Sequence, residues 1–210
     1  MEKYFTELSL RYPQLQCVVP VLRQLACEIV ELFRRDGTLF LAGNGGSAAD
    51  AEHICGEVLK GFGSKRELSA ADKELFSRIA GDKGSDIAGK LQYGLRSVSL
   101  LSHPALQSAF SNDVDPQLCF AQQLWALGRK NDMVIGISTG GNAENIYDLF
   151  ITARAKNIRT VLFTGEKEGR CREFADMVVA VPERETYKIQ ELHLPVYHTL
   201  CLAVESQFFN

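Results

Sequence analysis

Between Thr38 and Glu57 the chain passes from a short apolar run, Thr38 to Ala42, through Gly43-Asn44-Gly45-Gly46 into a helical pattern that starts at Ser47. A buried strand handed by a glycine turn to a helix start is the building unit of α/β folds, and it restricts the chain to a sheet with helical crossovers. Glycines let a ligand approach the backbone closely, while the unpaired N–H groups of a helix's first turn and its dipole attract an anion, phosphate above all. Ser47 and Asp50 also have capping-box spacing, so a plain helix cap is the competing reading, and one serine can serve both roles. The loop is neither GxGxxG nor GxxxxGK[ST], which argues against a dinucleotide or P-loop nucleotide site, and no nucleotide cofactor is expected.

A length of 210 residues corresponds to one domain of ordinary size, or to one domain with an appendage. The net charge of −3 leaves no basic surface for nucleic acid. Met1 to Glu7 has mixed charge and no signal-peptide core, and no apolar run approaches the roughly 20 residues of a membrane span, so a cytoplasmic protein without membrane or nucleic-acid partners is expected. Cysteines at 17, 27, 55, 119, 171 and 201 form no CxxC pair and lie mostly in apolar patterns, which predicts neither disulfides nor a thiolate metal site.

In chain order, apolar positions at helical spacing between 3 and 36 predict one or two helices, with Pro13 and Pro20 near turns or first turns and Asp36-Gly37 as the stop. Residues 63 to 93 are charged, with Ser69 and Asp72 at capping-box spacing, and read as a helical insertion: an exposed helix over a neighbouring subunit's pocket, or a solvated excursion without a role. Arg96 to Leu101, Asp132 to Ser138, Arg159 to Thr164 and Met177 to Val181 supply four further strands. Helices are predicted from His103-Pro104 toward Phe110, from Pro116 to Gly128, after Asn142 as N-cap, and from about Ile189 to Phe208. Trp125 reads as helix packing. Strands alternating with helices predict a doubly wound α/β sheet, whose ligands gather beyond the carboxyl ends of the strands, and the second glycine turn, Thr139 to Asn142, also stands at a strand end. Asn44 to Ser47 and Ser138 to Gly141 are therefore expected to line one pocket.

His53 and Glu57 are four apart and share one helix face; Gln190 and His198 are eight apart, roughly 80° around a helix of 3.6 residues per turn. Imidazole, carboxylate and amide oxygen suit zinc or another divalent first-row ion, and carboxylate beside imidazole suits proton transfer. An ordinary surface pair at 53 and 57, with His198 satisfied in a core, is the other reading. Glu191 and His193 compete on the same helix, which either kinks at Pro195 or begins near Leu194. His103 reads as a loop histidine, and Asn112-Asp113 suits either polyol hydroxyls or a turn.

Taken together, Gly43-Asn-Gly-Gly-Ser47, His53 with Glu57, Asn112-Asp113, Gly136-Ile-Ser-Thr139 with Gly141-Asn142, and Gln190-Glu-x-His193 with His198 resemble the sedoheptulose-7-phosphate (phosphoheptose) isomerases of the sugar isomerase (SIS) domain family. The resemblance covers nearly the whole chain except residues 63 to 93. It implies a single SIS domain with a five-stranded parallel sheet, a homotetramer with pockets at subunit interfaces, and aldose–ketose isomerisation of a seven-carbon sugar phosphate, sedoheptulose 7-phosphate to glycero-manno-heptose 7-phosphate. By the same resemblance Asn44, Gly45, Gly46, Ser47, Ser138, Thr139 and Gly140 contact phosphate or sugar, Asn112, Asp113, Glu57 and Gln190 contact sugar, Glu57 and His198 form the acid/base pair, and His53, Glu57, Gln190 and His198 hold one zinc per subunit.

The chain departs from the family pattern at Gly140 and Ala143, where serines are usual, at Ser102-His103 in place of Ser-Asp, and at Gly61, where an arginine is usual and Lys60 is adjacent. A non-catalytic SIS module that senses a phosphosugar or holds a protein partner is the alternative function; the presence of Glu57 and His198 argues for the enzyme.

Overall fold

Each apolar run becomes a strand in the computed structural model, which describes residues 1–209. Strands β1 (Leu39–Gly43), β2 (Ser97–Ser99), β3 (Met133–Ile137), β4 (Arg159–Thr164) and β5 (Met177–Ala180) form one sheet in the order β2-β1-β3-β4-β5. Every neighbouring pair is parallel. The expected α/β, doubly wound five-stranded parallel sheet is thus what the chain forms.

Among the described residues eight α-helices connect and cover the strands: α1 (Glu2–Arg11), α2 (Val19–Arg34), α3 (Gly46–Leu59), α4 (Ala70–Ala88), α5 (Pro104–Asp113), α6 (Cys119–Leu127), α7 (Glu144–Ala155) and α8 (Thr186–Glu205). The side-chain period of two along β1 sorts the core. Leu39 and Leu41 join a cluster with α1, α2, α3 and α8, whereas Phe40 and Ala42 face a second cluster with α6 and α7. Both sheet faces are covered, which is why β1 and β3 are buried at every position. Among the described residues no helix is long and apolar enough to cross a membrane.

Several local expectations need correction. Ser47 does not cap α3: the N-cap is Gly45, in a backbone conformation (φ 56°, ψ −121°) that only glycine adopts readily, and no side chain caps it. Asn142 does not cap α7, whose N-cap is Ala143; its amide instead donates to Gly140 O at 2.9 Å and accepts from Arg170 N at 3.1 Å. Trp125 is 57% exposed, with Lys156 over its ring, because α6 turns Phe120, Ala121, Gln123 and Leu124 inward and 125 outward. Helix α5 runs past Phe110 to Asp113, and α8 begins at Thr186 and passes through Pro195 without interruption.

The 63–93 segment carries the expected cap: Ser69 Oγ accepts from Asp72 N at 3.1 Å and starts α4. Helix α4 is largely exposed and breaks at Ala80 and Gly81, where the backbone leaves helical geometry. Glu67 and Gln92 close the segment's base as an antiparallel bridge.

Candidate active site

The sheet order places the reversal of connection between β1 and β3: β1 leads to β2 on one side, and the chain then crosses to β3 on the other. In open α/β sheets ligands bind beyond the strand ends at that switch point, and here the loops after β1 and β3 stand side by side. They are joined by a reciprocal amide pair, Asn44 Nδ2 to Asn145 Oδ1 and Asn145 Nδ2 to Asn44 Oδ1, each 2.9 Å. Asn145 has no signal in the sequence, where it is one polar residue in a helix's first turn.

The first loop is shaped for close approach. A side chain at Gly43 would strike the backbone of Ser47, and one at Gly46 would strike the amide of Gln190. Ser47 N donates to Asn44 O, whereas the N–H groups of Gly45 and Gly46 have no backbone or side-chain acceptor among the described residues. In the second loop Gly141 N donates to Ser138 O and Ala143 N to Ser138 Oγ, and the N–H groups of Thr139 and Gly140 are free in the same sense. Two adjacent turns with unpaired donors have the chemistry of a concavity suited to an anion. Beside the first lies a cavity of about 200 Å³ lined by Asn44, Gly45, Gln107, Ser111, Cys119 and Asn145.

Helix α3 leads from the first loop to the cluster of His53, Glu57 and His198. It runs alongside α8 in the same direction, since Gly46 meets Gln190, His53 meets Tyr197, and Phe62 N, just past α3, meets Glu205. His53 Nε2 stands 3.3 Å from Glu57 Oε1, and Lys60 Nζ 3.2 Å from Glu57 Oε2. The His198 ring lies edge-on to His53, centroids 5.0 Å apart, and against Phe62 at 5.2 Å. Its Nε2 is buried and has no hydrogen-bond partner among the described residues. Burial first, and the neighbouring His53 charge second, hold His198 below the ordinary imidazole range, so it is neutral at neutral pH.

The predicted site residues are therefore distributed as follows. His53, Glu57 and His198 are neighbours, Gln190 lies against Gly46 at the first loop, and Ser138, Thr139 and Gly140 face that loop across the Asn44–Asn145 pair. Asn112 and Asp113 are exposed at the end of α5, where Asn112 Nδ2 donates to Asp113 Oδ1 at 2.9 Å. His193 is a core residue: it is fully buried, its Nε2 lies 3.3 Å from Thr164 O, and burial pushes its pKa down to about 4. His103 is the N-cap residue of α5, and its Nδ1 lies 2.9 Å from the Oε1 of buried Gln123. His198 lines a cleft of about 330 Å³ with Tyr4, Glu7, Arg11 and Phe62, distinct from the cavity at the first loop.

No family model matches the chain. Curated relatives do. The chain is 36% identical over 191 residues to the phosphoheptose isomerase of Roseiflexus sp. (strain RS-1), covering 91% of this chain and 84% of that protein. It is 35% identical over 193 residues to the phosphoheptose isomerase of Burkholderia pseudomallei (strain K96243), covering 92% and 85%. Among solved structures, phosphoheptose isomerase GmhA from Neisseria gonorrhoeae superimposes with a TM-score of 0.74 at 25% identity, over 98% of this chain and 96% of that one. A phosphoheptose isomerase from Francisella tularensis gives 0.73 at 24%, over 89% and 86%, a likeness of fold. With near-complete coverage at this identity, and with glycine loops and a His–Glu–His cluster in one α/β frame, the chain belongs to the phosphoheptose isomerase family of enzymes.

Proposed function

We propose that the protein isomerises sedoheptulose 7-phosphate to glycero-manno-heptose 7-phosphate through an enediol, acting in the cytoplasm as a homotetramer of single SIS domains, each with residues 63–93 as an insertion. The observation that carries this is the placement of unpaired backbone donors on two facing loops at the sheet's switch point, with His53 and Glu57 on the helix that leaves the first loop and His198 against them from α8. Phosphate is held by the N–H groups of Gly45, Gly46, Thr139 and Gly140, with Asn44, Ser47 and Ser138 beside them. Asn112, Asp113 and Gln190 hold sugar hydroxyls. Glu57 removes the proton from the carbon beside the carbonyl and returns it to the neighbouring carbon, while His198, neutral and unpartnered at Nε2, moves the proton between the two oxygens. The separation of the loop cavity from the His198 cleft within one chain supports pockets completed across subunits.

The cluster fits a zinc ion in its donors. His53 Nε2 and Glu57 Oε1 face each other, and His198 Nε2 is a buried nitrogen without a partner. Among the described residues no three His, Cys, Asp or Glu side chains already converge as a ligand set; His53, Glu57 and His198, with Gln190, are the residues that would hold the ion, one per subunit. When bound, such an ion polarises a substrate carbonyl.

The decisive experiment is incubation with sedoheptulose 7-phosphate and a panel of other ketose and aldose phosphates in deuterated water. Exchange at the carbon-bound position with the seven-carbon substrate is expected; binding without exchange would overturn the reading. Elemental analysis of protein purified without chelator is expected to find zinc, and metal-free protein with full activity would leave an organic acid/base site.

The phosphate grip can be tested separately. A Cβ at Gly140 meets nothing within 4 Å, so Gly140→Ser is expected to fold as the wild type does and to place a hydroxyl among the free N–H groups. One added hydrogen bond to a charged group contributes about 1.5 kcal/mol, which lowers KM about tenfold with kcat unchanged. An unchanged KM would place the phosphate elsewhere.

A further inference from the structure

Tyr197 is fully buried and its hydroxyl is the one polar atom of its side chain. A buried phenol needs a partner, and this one has two on α3: His53 Nδ1 at 3.0 Å and Asp50 Oδ1 at 3.3 Å. Asp50 caps nothing, and its Oδ2 is buried without a partner, so Tyr197 is the hydrogen-bond donor to this carboxylate among the described residues.

Proton counting fixes the direction of the chain. An ionised carboxylate can only accept, and a phenol carries one proton. Burial raises the Asp50 pKa above its ordinary value, and the Tyr197 hydrogen bond and the nearby His53 offset that only in part. A phenol ordinarily keeps its proton up to about pH 10. Tyr197 therefore donates to Asp50, its oxygen accepts, and Nδ1 of His53 must supply the hydrogen. In the neutral imidazole the lone pair is then left at Nε2, 3.3 Å from Glu57 Oε1.

We propose that Asp50 and Tyr197 are positioning residues that hold His53 as its Nδ1–H tautomer and so turn the Nε2 lone pair toward Glu57. Two acceptors then face each other with no proton between them, an arrangement that favours a cation at their common point. The inference takes from the proposed function only that His53 and Glu57 belong to the reaction centre.

The test is spectroscopic and independent of turnover. Protein labelled with ¹⁵N-histidine and stripped of metal by chelator contains four histidines, and the His53 signals are identified by their absence in His53→Gln. At pH 8, two-bond ¹H–¹⁵N correlation is expected to show His53 protonated at Nδ1 and unprotonated at Nε2. In Tyr197→Phe the Nδ1 partner is gone and the population moves to the Nε2–H tautomer. In Asp50→Ala the phenol is released to donate to Nδ1, and the same tautomer takes over. Zinc affinity, measured by competition with a chromophoric chelator, is expected to fall about 10- to 100-fold in both variants, the usual effect of removing a partner that orients a ligand. An Nε2–H tautomer in the wild type, or a His53 spectrum unchanged in both variants, would overturn the proposal. A wild type that binds no zinc defeats the metal reading alone, because the tautomer is read in metal-free protein.

Discussion

Glu57→Gln is expected to lower kcat about 10²- to 10⁴-fold, and His198→Ala by a similar factor, the range that a positioned acid or base contributes to proton transfer. Glutamine keeps the shape of Glu57 and an acceptor oxygen for Lys60, so packing and the melting temperature should change little, while the carboxylate proposed to remove the carbon-bound proton is lost. His198 lines an open cleft with α1, so its truncation leaves a hole at a surface rather than in the core. Because both groups serve one enediol, their losses should not add. The double variant is expected to be scarcely slower than the worse single one, as for residues that act as a unit. Solvent-derived deuterium at the substrate carbon should disappear in Glu57→Gln, whereas His198→Ala should still exchange it slowly, because the proposed mechanism gives carbon deprotonation to Glu57. Wild-type turnover in either variant would remove that residue from the chemistry.

The frame was legible because it rests on local signals. Arg159–Thr164 is bounded where its apolar run is, and β1 and β3 stand within a residue of theirs, since strands buried on both faces read as continuous apolar runs. The order β2-β1-β3-β4-β5 brings the two glycine loops to one place, which their shared position after strands had indicated. Side-chain partners were less legible. Ser47 and Asp50 have the spacing of a cap, but the glycine at 45 takes the cap position with a backbone no other residue adopts cheaply, which frees Asp50 for Tyr197 across the helix pair. Tyr197, Asn145 and Gln123 are polar residues whose roles arise from neighbours distant in sequence, such as Asn44 for Asn145 and His53 for Tyr197, and no periodicity records such a pair. Trp125 shows the limit from the other side, an aromatic residue inside an apolar pattern that nevertheless points to solvent.

The most buried ion pair was also invisible to spacing, and its removal is expected to have the largest effect on stability. Arg66, in the segment outside the family pattern, places its Nε 2.8 Å from Glu205 Oε1, with the two side chains 1% and 4% exposed. Its Nη1 and Nη2 donate to Val58 O and Glu57 O, the terminal carbonyls of α3, and Glu205 also accepts from Phe62 N and Gly63 N at 2.9 and 2.6 Å. One node thus ties the end of α3, the start of the 63–93 segment and the end of α8. Truncating one member leaves the other charge buried and unpaired, so Arg66→Ala and Glu205→Ala are each expected to cost about 3–5 kcal/mol. In a chain of this length that lowers the melting temperature by roughly 10 °C. The paired replacement Arg66→Met with Glu205→Leu removes both charges and should recover part of the loss, but not all, because the N–H groups of Phe62 and Gly63 and the carbonyls of α3 lose their partners. Burial raises the Glu205 pKa, but the two N–H groups and the guanidinium outweigh it, and the net displacement is below the ordinary value of 4.5. A carboxyl depressed on folding contributes stability above its unfolded pKa and loses it as pH falls through the folded value. Urea unfolding should therefore show the gap between wild type and Glu205→Gln at full size at neutral pH and closing in acid below 4.5. An Arg66→Ala protein within about 1 kcal/mol of the wild type would show that the node is hydrated and that α3 ends there without it.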